Sequence, residues 1–511
     1  MYPFDAASPS QATTSAPIGF DLAALLDANR DNALELLEQH VNPSFAAVLR
    51  TIGFDVKFAR GQGAYLFDQQ GRRYIDCLGG YAVFAAGRNH PVIRDAIKQA
   101  MDLNLPNLPG VGTFRVAGLL ARELVALAPR DPRDGQALDA CFFASGGGEA
   151  IDAAIKFARG ATGRQRIVYC HRAYHGLTFG GLSITGNHEF RDGFGAMLET
   201  TEVPFNDVAA LENELRKGDV AAFVVEPIQG KGVNVPGAEY LGRASELCRG
   251  NGALFVLDEI QTGLARTGKW WAGEHLGMNG PTDGYTGSWA PDIMVIAKAL
   301  SGGYVPTSCV LMKRSVHSKV FSSMNNCSRI QNTFSMNDLS MVAGLASLHV
   351  IRTERLMENA REVGGYFKDG LRKFIGKYEL VKDVRGEGLM LAIEFGRPKG
   401  FMLAQAWDML HKLDPSLFCQ SMVLPLMSDH RVIAQVAGHR LDVIKLIPAL
   451  VFTKADADEV LAALETCIAA CHRFPGPAWE VGKKLGAAAL RRFTPGEGGT
   501  AAAKPEPAGV R

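Results

Sequence analysis

Residues 253–268 read ALFVLDEIQTGLARTG, and residues 291–303 read PDIMVIAKALSGG. Each starts as a short apolar run and ends on a charged side chain, Asp258 in the first and Lys298 in the second, followed by a turn that carries glycine. Runs of this length without polar alternation predict strands buried on both faces, and the glycines after Lys298 predict the turn that ends its strand. Lys298 is therefore expected at a strand exit. A lone lysine there either lays its stem along apolar surface with its head in water or is held as a reactive amine, and only its neighbours decide between the two.

The same pattern extends outward. From about residue 115 to 345 the apolar runs ACFFA, RIVYC, AAFVVE, ALFVLDE, IMVIAK and SCVLMK alternate with stretches such as EAIDAAIKFAR and EYLGRASELCR, whose apolar residues recur at three and four. Strands alternating with helices predict an α/β fold, a large domain with a mostly parallel central sheet covered on both faces and ligands beyond the strands' carboxyl ends. The flanks differ. Residues 20–114 read as helix and then the strand pair VKFARGQGAYLFDQQGRRYIDC, while 346–485 mixes long helices with short strands. The two flanks are expected to fold together as a smaller α+β domain, with a cofactor between the domains. Residues 1–19 have neither the charged nor the apolar region of a signal peptide and read as a flexible arm, and residues 486–511, rich in Gly, Pro and Ala, read as a disordered tail.

Composition narrows the function. At 511 residues the chain exceeds what one core usually holds, roughly 300 residues. Lys plus Arg number 54 and Asp plus Glu 53, so no net field draws the chain to nucleic acid or an acidic membrane, and no apolar window is long enough to span one. The expected partners are small molecules and copies of the chain itself. The nine cysteines include no CxxC pair and no cysteine/histidine cluster at zinc spacing. That predicts reduced thiols, a cytoplasmic setting and no metal, with Cys467 and Cys471 read as two buried thiols on one helix face.

Several strands end in polar residues. FFASGGGEAIDAAIKFAR runs through Ser145, Gly146, Gly147 and Gly148 into a helix opened by Glu149. This is either a plain tight turn or an anion cradle of free backbone amides; no Gly-Lys-Ser/Thr follows, so it is not a Walker motif. RIVYCHRAYHG ends in Tyr174 and His175, and AAFVVEPIQG offers Glu226. Tyr174 is either core or a ring stacked on an electron-poor partner. Asp258 is either a cap or ion-pair partner or an anion that keeps a pyridine nitrogen protonated.

Taken together, these motifs resemble the class III aminotransferases, the ω-amino and ornithine group of fold-type I pyridoxal phosphate enzymes, over roughly residues 42 to 470. The most specific part is the spacing of ALFVLDEIQTGLARTG to PDIMVIAKALSGG. The resemblance implies that Lys298 forms the internal aldimine with pyridoxal 5'-phosphate and then carries the proton. It implies that Asp258 holds the pyridinium charge, Gln261 touches the phenolic oxygen and Tyr174 stacks on the ring. The loop of Ser145, Gly146, Gly147 and Gly148 would cradle the phosphate, and His175 and Glu226 join the cofactor site. Thr333, in QNTFSMND, resembles a threonine that reaches the phosphate of a neighbouring subunit, which implies a homodimer with shared sites. The expected reaction moves an amino group from an ω-amino compound or diamine to a keto acid, 2-oxoglutarate or pyruvate. The alternatives are a decarboxylating or amino-migrating enzyme of the same fold, or a scaffold without chemistry.

The chain also departs from the pattern. Side-chain donors are fewer at the phosphate loop, and Met336 stands where the TFxGN element has glycine. In DVIKLIPALVF, Lys445 occupies the place of an arginine that grips an α-carboxylate; lysine offers a point charge instead of a fork, and it reads either as a substrate contact or as an edge-strand lysine serving solubility. The stretches 278–290 and 419–440 are insertions expected near the substrate entrance. YIDCLGGYAVFAAGRNHP looks most like the putrescine-type branch, with Tyr81 and Phe84 lining an alkyl-amine channel or belonging to the core.

Overall fold

The computed structural model describes residues 20–51, 53–108, 112–473, 476 and 479. The expected arm 1–19 and tail 486–511 lie outside the described residues. Two compact units are present, Met1–Val56 and Lys57–Arg511, so the division falls inside the 20–114 segment expected to act as one piece. The first unit carries the helices Leu22–Ala28, Ala33–His40 and Pro43–Thr51, and among its described side chains Ala46 alone is buried.

The second unit opens with β1 (Phe58–Gln62), β2 (Tyr65–Asp68) and β3 (Arg73–Asp76), three strands where the sequence predicts a pair. The reason is Asp68. Its carboxylate accepts from the amides of Gln70 and Arg72 and turns the chain at Gly71, φ +76°, cutting one long run in two.

The central sheet contains β4 (Ala140–Ala144), β5 (Arg166–Cys170), β6 (Thr200–Val203), β7 (Val220–Val225), β8 (Leu254–Asp258), β9 (Ile293–Ile296) and β10 (Ser308–Met312), in the order β4-β10-β9-β8-β7-β5-β6. Every residue of β5, β7 and β9 is buried, as strands covered on both faces require. β6 was not foreseen, because an edge strand reading TTEV has no apolar run. β10 is antiparallel to both β9 and β4, while β5 to β9 pair in parallel. The connection 297–307 is too short for a helical crossover, so the chain must return antiparallel. With β10 alone reversed, the carboxyl ends of β4, β5, β7, β8 and β9 open at one edge.

Toward the chain's end come β11 (Val381–Glu387), β12 (Met390–Phe395), β13 (Val432–Ile433), β14 (Gln435–Ala437) and β15 (Val443–Leu446). β13 adds in parallel to β3, and the others form a sheet of order β11-β12-β15-β14. The flanks are also tied by Tyr65, whose hydroxyl donates to Asp456 Oδ1 at 2.7 Å. Asp456 belongs to the capping box with Thr453 that opens the helix Lys454–Cys471. On that helix Cys467 and Cys471 are both buried, and all nine cysteines are unpaired.

The insertion 278–290 is not an entrance loop. Residues 278–290 precede β9 and therefore lie at the amino edge of the central sheet, opposite Lys298; Trp289 is fully buried there, its ring 5.5 Å from that of Phe255. Residues 419–440 form most of the buried helix Leu417–Ser428 and then β13 and β14. Among the described residues no helix is long and apolar enough to cross a membrane, and no His/Cys/Asp/Glu group could hold a metal ion.

Candidate active site

Lys298 leaves β9 and opens a short 3-10 turn, Lys298–Ser301, at φ +42°, a left-handed backbone that costs a non-glycine residue roughly 1–3 kcal/mol. The turn is held by Ser301 Oγ, which donates to Lys298 O at 2.7 Å and accepts from Gly303 N at 3.0 Å. Burial pushes the Lys298 pKa below the ordinary lysine range, with Asp258 and Glu226 opposing it. A lysine that sheds its proton easily can serve as nucleophile and proton carrier.

Asp258, on the neighbouring strand end, faces His175. Oδ2 is 2.7 Å from His175 Nδ1 and Oδ1 accepts from Ile260 N at 3.0 Å, with both side chains buried. Burial acts against a charged imidazole, but the hydrogen bond and charge of Asp258 prevail, so the His175 pKa stands above its usual value. His175 N donates to Thr185 Oγ1 at 3.2 Å, and its Nε2 has no partner among the described residues.

Glu226 is buried too, and both its oxygens are taken by the backbone: Gly230 N donates to Oε1 at 2.7 Å and Tyr174 N to Oε2 at 3.1 Å. Its position is that of a clamp between two loops. Burial raises its pKa, the nearby His175 lowering it in part.

Lys445 does not sit at an edge. β15 lies between β12 and β14, Lys445 pairs with Ala392 and Gln435, and it is only 4% exposed, so the solubility reading is wrong. Its Nζ donates to Gly230 O at 2.8 Å and reaches Gln261 Oε1 at 3.4 Å. Burial, then the charge of Lys298, push its pKa down to about 7 against the pull of Glu226. Gln261 in turn donates from Nε2 to Tyr81 O at 3.2 Å.

Tyr81 lies in a tight left-handed turn with Gly80 and Ala82 and remains 53% exposed; Tyr174 is 37% exposed, its ring edge-on to Phe190 at 6.3 Å. Burial and the neighbouring Tyr81 phenol raise the Tyr174 pKa. Phe84 is used for packing: the Arg88 guanidinium covers its ring at 4.0 Å, and a Cβ on Gly303 would come within 2.5 Å of it. It thus buttresses the Lys298 turn from the side.

At the end of β4, Gly146 is the N-cap of the 16-residue helix Gly147–Thr162 and provides no side-chain cap, leaving the first-turn amides open toward the sheet edge. The backbone is closely packed. A Cβ on Gly148 would lie 2.8 Å from Thr178 Cγ2, and one on Gly147 3.2 Å from Ile260 Cδ1. Ser145 N donates to Glu149 Oε2, and Asn332 Nδ2 donates to the same oxygen at 3.1 Å, bringing the loop of Thr333 against this chain's own glycine turn; Thr333 is exposed.

The residues present fit pyridoxal phosphate. An uncapped glycine helix start suits a phosphate, a buried carboxylate braced by a histidine suits a pyridinium, and a half-buried lysine of lowered pKa suits the aldehyde. Sequence reading missed Gly230, whose carbonyl and amide link Lys445 to Glu226, and Thr178, which seals the glycine turn. The glycine after EPIQ at a strand exit is a visible signal for the first; nothing marks the second.

Residues 50–468 match the family described as aminotransferase class-III. The aminotransferase PigE of a Serratia species is 31% identical over 473 residues, covering 86% of this chain and 54% of that protein, so the chain spans about half that relative's length. The LysW-aminoadipate semialdehyde transaminase of Deinococcus radiodurans is 36% identical over 415 residues, covering 80% of this chain and 85% of the relative. Among solved structures, the ornithine aminotransferase of Toxoplasma gondii ME49 is similar with a TM-score of 0.71 at 28% identity, covering 88% of this chain and 98% of that one. A family match across most of the chain, on a site that fits its cofactor, leaves one conclusion: the chain belongs to the class-III aminotransferases, pyridoxal-phosphate-dependent transaminases of fold type I.

Proposed function

We propose that the enzyme transfers an amino group from a diamine or other ω-amino compound to a keto acid, 2-oxoglutarate or pyruvate. The observation that carries the donor class is Lys445: a buried lysine bonded to two neutral oxygens stands where a carboxylate-gripping guanidinium would be expected. The half-exposed phenols of Tyr81 and Tyr174 offer aromatic surface to an alkyl chain beside it. The relatives' names are compatible with this reading, since ornithine carries a terminal amine and aminoadipate semialdehyde is the aldehyde of one.

When bound, the cofactor supplies an electron-withdrawing ring that stabilises negative charge on the carbon bearing the substrate's amine. The open amides of Gly147, Gly148 and Glu149 would hold its phosphate, Asp258 its ring nitrogen and Gln261 its phenolic oxygen, with Tyr174 against the ring. His175 positions Asp258 through Nδ1, and Glu226 positions the Tyr174 and Gly230 loops. Lys298 Nζ would take the proton from the donor carbon and, as its ammonium, deliver it to a different carbon, the one through which the cofactor accepts the amino group, a role that a depressed pKa permits. Homodimerisation through the Thr333 loop belongs to the same reading, supported by that loop's exposure beside the glycine turn, as does a cytoplasmic location, supported by nine cysteines without a disulfide.

The test is the visible spectrum of the loaded enzyme on adding putrescine without a keto acid. Bleaching of the cofactor's absorbance to the amino form is expected. A yellow protein unaffected by putrescine would discard the diamine, and carbon dioxide release without bleaching when an amino acid such as ornithine is added in its place would favour a decarboxylase.

A further inference from the structure

At the carboxyl edge of the central sheet Lys445 of β15 reaches Gln261 in the loop after β8, close enough to Lys298 for the charge of one to depress the other. Lys445 has no task in the proton transfer. Resting on the donor reading above, we propose that Lys445 is a charge-adjustable substrate contact, neutral when a molecule with a distal ammonium occupies the site and protonated when a molecule with a distal carboxylate does. One side chain then serves both halves of the reaction.

The geometry carries this in three steps. Lys445 is buried on an inner strand, so it cannot discharge its field into solvent. Its two partners, Gly230 O and Gln261 Oε1, are neutral, and the nearest carboxylate, Glu226, has both oxygens committed to backbone amides. The ammonium therefore lacks a directly bonded counter-ion among the described residues. An incoming carboxylate supplies one, whereas an incoming ammonium is repelled until Lys445 gives up its proton to water. A guanidinium at this place would stay charged with either substrate.

The surrounding charges bear on the same balance. Lys298 faces it from the turn after β9 and Glu226 from the loop after β7, while Asp258, bonded to His175, acts on Lys298. On the same face of its own sheet Arg385 is paired with Asp383 and Glu394 and donates to Gly232 O and Val233 O, so that cation is neutralised and engaged. Tyr81, whose carbonyl accepts from Gln261, and Tyr174, whose amide donates to Glu226, add partly exposed phenols nearby. With the Lys445 pKa near 7, a rise in pH favours ammonium-tailed substrates and disfavours carboxylate-tailed ones. Glu259 also titrates near 7, but its bonds go to Thr262 and Gly273 N.

The experiment compares kcat/KM of the loaded enzyme for putrescine, butylamine and 4-aminobutyrate between about pH 6 and 9, in wild type, Lys445→Met and Lys445→Arg. In wild type the putrescine/butylamine ratio should rise about tenfold or more with pH and the 4-aminobutyrate/butylamine ratio fall comparably. Both should be flat in Lys445→Met, and Lys445→Arg should keep the low-pH preference throughout. Calorimetry of glutarate binding at about pH 8 should show uptake of nearly one proton in wild type and none in Lys445→Met. Flat wild-type ratios, or unaltered pH dependence and proton uptake in Lys445→Met, would overturn the proposal. If putrescine is no donor at any pH, the diamine reading fails, while the 4-aminobutyrate ratio and the glutarate measurement still decide the role of Lys445.

Discussion

His175 Nδ1 stands 2.7 Å from Asp258 Oδ2, both buried, at the ends of β5 and β8, strands separated in the sheet only by β7. The pair joins a buried carboxylate to a ring nitrogen at hydrogen-bonding distance, and the bond and charge of Asp258 raise the His175 pKa against its burial. The order of the strands is what brings together two residues far apart in sequence.

If Asp258 stabilises the ring nitrogen's positive charge, Asp258→Asn should retain cofactor but lose turnover on the order of 10²–10³-fold, the scale of a lost electrostatic stabiliser. His175→Gln, which removes the brace and leaves the carboxylate, should lose about 10–100-fold, as for one hydrogen bond to a charged group. Steady-state rates with cofactor occupancy read from absorbance check both. A near-normal rate in Asp258→Asn would mean that another group holds the nitrogen.

Lys298→Ala should abolish turnover, with a loss of at least about 10²–10⁴-fold from the missing proton carrier alone. Because Gly303 and Phe84 hold the turn independently of the ammonium, melting temperature in the absence of cofactor should change little. Unaltered activity would remove Lys298 from the mechanism.

Gly148→Ala brings a methyl to 2.8 Å from Thr178 Cγ2, an overpacking of roughly 1–3 kcal/mol at the phosphate turn. The expected result is weaker cofactor binding, measured by titration of the apoenzyme. Adding Thr178→Ser removes the clashing methyl while keeping the hydroxyl that donates to Gly148 O and Asp152 Oδ1, and should restore most of the affinity. No recovery would place the defect elsewhere.

Glu259 is fully buried, and its pKa is pushed up to about 7 by burial, against the bonds from Thr262 and Gly273. A carboxyl that keeps its proton to a higher pH in the folded state contributes stability below its unfolded value of 4.5, and that contribution is lost as pH rises through 7. The difference corresponds to about 3 kcal/mol. Denaturant midpoints across this window should fall in wild type and stay level in Glu259→Gln; parallel curves would assign the pH dependence to other groups.

Much of the fold could be read because the strands that matter are uninterrupted apolar runs. ACFFA, RIVYC, AAFVV and IMVI are buried nearly throughout, and the residues immediately after them form the candidate site. β6 escaped because TTEV lacks that signature, and the reversal of β10 because apolar content does not encode direction. Insertion 278–290 was misplaced for a related reason: sequence tells that a segment is extra, not which end of a sheet it occupies.

The sequence by itself determined the catalytic inventory, a lysine, an aspartate and a glycine turn at strand ends, since strand periodicity and turn chemistry are local. Only the tertiary structure decided what Lys445 and Glu226 do. A lysine reads alike in sequence on an edge strand and on an inner one; its charge, its partners and its pKa come from β12 and β14 closing over it and from Gly230 and Lys298 arriving from distant parts of the chain. Electrostatics depends on distance through space, and that distance does not exist until the chain has folded.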